Sequence, residues 1–446
     1  MDDGVAPTLS LDEPSVPQQY TVGEDILIEA STTNFADFKW TVVASLSKNP
    51  VLPDFTVTQQ PYSQNLSYTW DTSGRLPGSF YLGVAARKGD VLMYEFTAFL
   101  ITLVVHDMWV EMSADGAPSP RYDHDAVWTG NEMFVWGGRD NVNYFATGGV
   151  YTPWADAWTA TSLVNAPSGR TGFSMTWCGD RAIVWGGFAN GSYLDDGAAY
   201  FPASDTWVPI SSQNAPAARA DHRAVWTGTF LIVWGGEASS TTLNDGGIYD
   251  PATDTWTALE GANRPSARKN HGMAWVDTGL IVWGGVSFNA LSDGYFYEFA
   301  SDEWSEISST NAPNARFDHH CAYLPARGMV VCGGEDGFGP LADGGAYDPV
   351  SDTWNPIPAA GAPDAYFDSS VELAGQYVFS WGGFNNGFSF DGGLYDLNTG
   401  TWRDVTDENS PEGRSEASSV WTGSVIIIWS GKVSGGYTDT GFYYFP

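Results

Sequence analysis

A Trp-Gly-Gly recurs at Trp136, Trp185, Trp234, Trp283 and Trp381, with Cys332-Gly333-Gly334 in the fifth place and Trp429-Ser430-Gly431 in the seventh. Successive spacings are 49, 49, 49, 49, 49 and 48 residues. A period this regular means copies of one supersecondary unit, each too small to bury its own apolar face and each covered by its neighbours. A second series, Trp158, Trp207, Trp256, Trp304, Trp354 and Trp402, follows the first six members. Between the two lies an Asp-Gly-Gly-x-Tyr-Asp-Pro element, clearest at Asp245–Pro251 and Asp343–Pro349. Arg121, Arg170, Arg219, Arg268, Arg316 and Arg414 open the units, and Tyr366 takes that place in the sixth.

The composition decides which unit this is. With 51 Gly, 25 Pro and 15% aromatic residues, the chain favours strands joined by tight turns, and an all-helical fold is excluded. About 48 residues per unit match four strands, here a to d, the size of a propeller blade. Asp221–Trp226 typifies strand a, Phe230–Trp234 strand b, Ile248-Tyr249 strand c and Thr255-Trp256-Thr257 strand d. The seventh unit ends at Tyr443-Tyr444-Phe445-Pro446 without its strand-d Trp, whereas Met108-Trp109-Val110-Glu111 supplies one ahead of the first. The strand around Trp109 is therefore expected to complete the last sheet, closing a ring and removing the free edges.

These residues resemble kelch repeats, in the bacterial form reading R-x-x-H-x-A-V-W-T-G, V-W-G-G, G-G-x-Y-D-P-x-x-D-x-W. Arg121, His124, Ala126, Val127, Trp128, Thr129, Gly130, Val135 and Trp136 match it nearly letter for letter. The resemblance implies a seven-bladed kelch propeller over residues 108–446, a fold that hosts many unrelated functions.

Residues 1–107 read differently. Ile26–Ala30 and Phe38–Val43 alternate like strands, Phe96–Val105 is a nearly continuous apolar run, and Gly- and Pro-containing turns separate such segments. The reading is a small β-sandwich. Thr69-Trp70-Asp71-Thr72-Ser73-Gly74, followed by Leu76-Pro77-Gly78-Ser79-Phe80-Tyr81, resembles the signature of immunoglobulin-like modules in secreted bacterial proteins. The full expectation is all-β: an immunoglobulin-like sandwich at 1–107 and a seven-bladed propeller at 108–446.

The formal net charge of −34 repels phosphate backbones and anionic headgroups, which argues against nucleic acid as a partner. It suits cations, cationic partners or solubility alone. No run of 18 apolar residues is present, so no membrane-spanning helix is expected. Met1-Asp2-Asp3-Gly4 is no signal peptide, and an initiator Met before an acidic start suggests a mature secreted or cell-surface protein. The three Cys make no disulfide framework; Cys321 and Cys332 flank one hairpin turn and are a possible pair, while Cys178 is left over.

Strand-a openings and b–c loops share one face of a propeller, and binding residues favour loops on rigid scaffolds. His124, His222, His271 and His319 occupy one repeat position, three of them after an Asp, and could hold a divalent metal. The repetition favours a structural role between neighbouring blades, so no cofactor is expected. The exceptions mark where a specific site could be built: Gly172-Phe173 in unit 2, Tyr366 and Asp368-Ser369 in unit 6, Glu416 in unit 7. Tyr144, Tyr193 and Tyr437 share a b–c loop position in units 1, 2 and 7, contiguous around a closed ring, and offer flat faces to a glycan or a protein. The neighbouring Phe145, Leu194, Leu243, Leu341 and Phe390 read as core, and Glu335-Asp336 and Asp195-Asp196 are the loop acids best suited to calcium.

No Gly-x-Ser-x-Gly, His-Glu-x-x-His or phosphate-loop motif is present. The expectation is therefore a non-catalytic module that binds a surface protein or glycan through these Tyr, Tyr366, Asp368 and Glu416, with the strand-a Arg and Asp adding polar contacts. The alternatives are a carbohydrate-active enzyme of the isomerase or oxidase kind, using Glu416, Asp368, Tyr366 and the His positions, or an architectural subunit of an extracellular assembly.

Overall fold

The computed structural model describes residues 107–446 except 277 and 326, and in residues 1–106 the residues of nine strands. The chain divides into two compact units, Met1–His106 and Asp107–Pro446. In the first, Leu9–Glu13, Asp25–Thr32 and Asn65–Asp71 make a three-stranded sheet. A second sheet orders Gln19–Thr21, Ile101–Val104, Gly78–Lys88, Phe38–Ser45 and Phe55–Ser63, with Val91–Phe96 also paired to Gly78–Lys88. The apolar run expected as one strand from Phe96 to Val105 is split between Val91–Phe96 and Ile101–Val104. The turn Thr72-Ser73-Gly74 lies outside the described residues.

In the second unit each repeat forms a four-stranded antiparallel sheet in the order a-b-c-d. Unit 3 shows the pattern, with Arg223–Trp226, Leu231–Trp234, Gly246–Asp250 and Thr255–Leu259 as its strands. Strand b is the most apolar segment, and Leu231, Ile232, Val233 and Trp234 are fully buried because both faces of this inner strand meet neighbouring sheets. The seventh sheet runs Ser418–Trp421, Ile426–Trp429, Gly441–Phe445 and then Met108–Glu111. Met108 pairs with Phe445, Trp109 with Tyr444 and Glu111 with Phe442, so opposite ends of this unit share one ladder, as the missing strand-d Trp required. Strand a of each sheet lies beside strand a of the next, and that of the seventh lies beside that of the first.

The two tryptophan series are halves of one joint. The strand-b Trp of a unit packs on the strand-d Trp of the next: Trp136 on Trp207, Trp185 on Trp256, Trp234 on Trp304 and Trp283 on Trp354, with ring centroids 5.3–5.6 Å apart. Trp429 meets Trp158 at 5.2 Å, and Trp381 meets Trp109 at 5.3 Å. One joint departs from the rule. Between units 5 and 6, Cys332 stands where the first Trp should be.

The disulfide is corrected. Cys178, Cys321 and Cys332 are all free. Cys321 pairs with Val331 and Cys332 with His320, an offset of one residue, which sends the two sulfurs to opposite faces of the hairpin. Cys321 accordingly packs with Trp283 and Trp354, and Cys332 with Val378 and Tyr395.

Candidate functional site

Every strand a is entered through a residue in the left-handed region: Asp123, Gly172, Asp221, Asn270, Asp318, Asp368 and Glu416 have φ between 51° and 59°. Asp and Asn tolerate this geometry better than other residues with a β-carbon, so backbone conformation is one source of the acidic ring. Backbone N–H groups stitch the ring between units, from Asp221 to Gly172 O (2.9 Å), Asn270 to Asp221 O (3.2 Å), Asp318 to Asn270 O (3.0 Å) and Glu416 to Asp368 O (3.1 Å).

The residues on either side turn inward. Arg121, Arg170, Arg219, Arg268 and Arg316 are fully buried and Arg414 nearly so, which corrects their expected part in recognition. Each guanidinium donates to three carbonyls of its own unit, as Arg219 does to Ala217 O at 2.9 Å and to Gly235 O and Asp245 O, both at 3.0 Å. Arg121 and Arg414 face Thr147 and Thr440 in place of an Asp, and burial lowers both to about 10. The four His share one contact. Each is set edge-on against the strand-b Trp of the preceding unit: His124 on Trp429, His222 on Trp185, His271 on Trp234 and His319 on Trp283, at 5.1–5.3 Å. Among the described residues no group of three or more His, Cys, Asp and Glu is placed to hold a metal ion.

The mouth of the ring has two unlike halves. Around units 1 to 3 a cavity of about 600 Å³ is lined by Tyr144, Tyr193, Asp123, Asp221 and Glu237. Its charges are paired. Arg139 bonds Asp123 at 2.9 Å, and Lys269 bonds Glu237 at 2.8 Å and Asp221 at 3.4 Å. At unit 7, Lys432 bonds Glu416 at 2.5 Å. Tyr144, Tyr193 and Tyr437 are half-buried, and two of them are engaged. Tyr193 donates its hydroxyl to Glu237 Oε1 at 3.1 Å, and Tyr437 stacks on Tyr122 at 5.1 Å beneath the Lys432 ammonium. Burial, then the Asp123 charge, raises the Glu416 carboxyl to about 7 against the pull of Lys432.

Between units 5 and 6 the second cavity, about 350 Å³, includes Tyr366, Asp368 and Ser369 of the predicted exceptions. Its origin is the absent Trp at Cys332 combined with Ser369 in place of His. At Gly186, Gly235 and Gly284, the first Gly after strand b, a β-carbon would lie 2.7–2.9 Å from the His ring of the next unit. At Gly333 the nearest such atom is 3.8 Å away. Asp318, Glu335, Asp364 and Asp368 line this cavity, with Asp125 and Glu372 deeper, and no Lys or Arg does. Burial, joined by the charges of Asp368, Asp221 and Glu335, raises Asp318 to about 6 although Arg223 opposes it. Of the loop acids suited to calcium, Asp336 accepts the N–H groups of Phe338 (2.8 Å) and Gly339 (3.0 Å) on one oxygen, and Asp196 bonds Arg170 at 2.9 Å.

Glu372, which the sequence did not mark out, is raised by burial to about 8, although a Ser419 hydroxyl bonds it at 3.2 Å. Its folded-state value lies above the unfolded one, so the folded protein holds this proton more tightly and loses stability as pH rises from about 4.5 to about 8. Glu372→Gln removes the penalty. Its stabilising effect in urea unfolding should grow by roughly 3 kcal/mol between pH 5.5 and pH 9.

Ten large apolar side chains are exposed among the described residues. Five of them, Val142, Phe288, Phe338, Phe384 and Phe390, belong to b–c loops and so to one face, whereas Leu163 and Val164 sit in a d–a turn that Ser162 ties to Asp205 in the c–d turn of the next unit. The four Phe come from the b–c loops of three consecutive units, 4 to 6, and Phe288 and Phe338 are each 99% exposed. Phe390, expected in the core, is 57% exposed. A signal for the second cavity was present in the sequence, in two small residues at facing positions of one joint. No comparable signal marked the Phe loops.

A family model, the KLHDC2/KLHL20/DRC7 Kelch-repeats domain, matches residues 94–277 and 259–436. A search among curated proteins finds no match.

Proposed function

The chain belongs to this kelch-repeat family, and on that premise we propose that residues 108–446 form a seven-bladed propeller serving as a non-catalytic docking module for a partner protein. The observation that carries the reading is the concentration of exposed apolar side chains in the b–c loops, with Phe288, Phe338 and Phe384 from three consecutive units. Exposed aromatics in adjacent loops cost solubility and are typical of interaction surfaces. A protein is favoured over a glycan because the tyrosines suited to sugar stacking are half-buried and two of the three are engaged, whereas the phenylalanines bring apolar area without a hydroxyl. We propose further that residues 1–107 are an immunoglobulin-like spacer. The parallel pairing of Gln19–Thr21 with Ile101–Val104, at the two ends of that unit, supports this. A secreted or cell-surface setting fits the −34 charge, and no helix among the described residues is long and apolar enough to cross a membrane.

The test is selection of peptides from a displayed library on the full chain. Selected peptides should lose at least tenfold in affinity for Phe288→Ser/Phe338→Ser and keep it for Trp154→Ser, whose exposed ring lies in a c–d turn on the other face. Binders indifferent to the Phe substitutions would overturn the reading.

A further inference from the structure

The cavity between units 5 and 6 is a defect in an otherwise repeated joint, and its chemistry is one-sided. In six joints a Trp from strand b fills the space against the next unit; here Cys332 and Ser369 leave it open down to Trp402, which is less buried than the other strand-d tryptophans. Asp318, Glu335 and Asp368 stand at the opening, and besides burial their mutual repulsion contributes to raising Asp318 and Glu335. Arg139, Lys269 and Lys432 form ion pairs in the other half and none with these three; Asp318 accepts from Asn270 Nδ2 at 3.0 Å and faces the Arg223 charge, and Lys432 acts on Asp368 only at a distance. The wall also holds an unsatisfied group. His320 lines the cavity with its Nε2 buried and without a hydrogen-bond partner, and burial, then the Arg223 charge, lowers it to about 4, so it supplies no counter-ion. Phe338 lies in the loop between the lining residues Glu335 and Leu341, Phe384 pairs with the lining residue Phe367, and Phe288 belongs to the b–c loop of the preceding unit.

We infer that this cavity receives a cationic side chain, arginine or lysine, of the partner protein, whose flanking apolar residues cover the three phenylalanines. The inference rests on the docking reading above and deepens it. Charge complementarity selects the occupant: a cation placed among Asp318, Glu335 and Asp368 relieves their repulsion, and the apolar stem of Arg or Lys suits a slot walled by Trp402 and Phe367. An anionic or neutral polar side chain would leave the carboxylates crowded and unpaired. The cavity volume of about 350 Å³ lies within the range of side-chain and small-ligand pockets.

The experiment is calorimetric titration of the full chain with two synthetic probes, Ac-Leu-Phe-Arg-Phe-Leu-amide and its Gln analogue. The Arg probe should bind at least tenfold more tightly than the Gln probe. In Asp318→Asn/Asp368→Asn the preference should fall below threefold with the Gln affinity unchanged. That variant should fold, because it removes like-charge repulsion. Cys332→Trp restores the residue found in the other joints, and by filling the slot it should bring the Arg probe down to the Gln value. Equal binding of both probes, lost in Phe288→Ser/Phe338→Ser, would overturn the cationic slot and leave the docking face standing. An Arg preference that survives Asp318→Asn/Asp368→Asn, or no binding of either probe, would overturn the inference. Failure of the library selection as well would overturn the docking reading with it.

Discussion

Arg268→Ala is expected to destabilise the propeller by about 4 kcal/mol, measured as a shift in its urea unfolding transition followed by tryptophan fluorescence. The side chain is fully buried and donates through every nitrogen: Nε to Ser266 O (3.0 Å), Nη1 to Gly284 O (3.0 Å) and Asp293 Oδ1 (3.0 Å), Nη2 to Ser266 Oγ (2.9 Å) and Asp293 Oδ2 (2.9 Å). One residue therefore fastens the strand-a opening, the turn after strand b and the start of strand c. Truncation removes the charge and leaves acceptors without donors in a place water reaches poorly, which costs more than the bonds themselves contribute. Arg268→Lys should recover less than half of the loss, because one ammonium cannot span acceptors that a planar fork reaches together. A loss below 1 kcal/mol would mean that water substitutes for the guanidinium, and the six Arg would then need another explanation.

Trp109→Ala should cost a similar amount, about 4 kcal/mol by analogy with large-to-small core substitutions, but with a distinct signature. Trp109 is 2% exposed, stacks against Trp381 and Tyr444, and donates to Thr406 O at 2.9 Å. It sits in the one sheet whose outer strand comes from far away in sequence, so losing its anchor frees that strand and uncovers the edge of Gly441–Phe445. Amide exchange at Gly441–Phe445 should accelerate at least tenfold while exchange in Leu231–Trp234 changes little. Trp207→Ala, the same deletion inside a continuous unit, should destabilise without that local opening. Uniform acceleration in both segments would mean that the closing strand and the ring unfold as one.

Much of this architecture was legible because it repeats. Seven strand-b positions and six strand-d tryptophans announced a joint, and the absent seventh named Trp109 as its substitute. The four His recur by the same logic and each meets a strand-b Trp, although the hydrogen bond to the neighbouring unit expected of them is made only by His124 and His222. The readings that failed turned on single-residue geometry. Cys321 and Cys332 looked like cross-strand partners, but a register offset of one places their sulfurs on opposite faces. The strand-a Arg looked available to a ligand, yet each folds back onto carbonyls of its own unit.

The candidate site divides in the same way. Tyr366, Asp368 and Glu416 were visible as departures from the repeat, and Cys332 and Ser369 were visible singly. That the last two empty the same joint is a fact of how consecutive sheets face each other, across 37 residues of chain. Sequence by itself determined the repeating unit, its strand order and the origin of the closing strand, because periodic burial and turn chemistry write themselves into residue type every 49 positions. Only the tertiary structure decided which loop aromatics stay in water and which carboxylates lack a counter-ion. Those properties belong to no residue alone; they depend on what the neighbouring sheet places within a few ångströms.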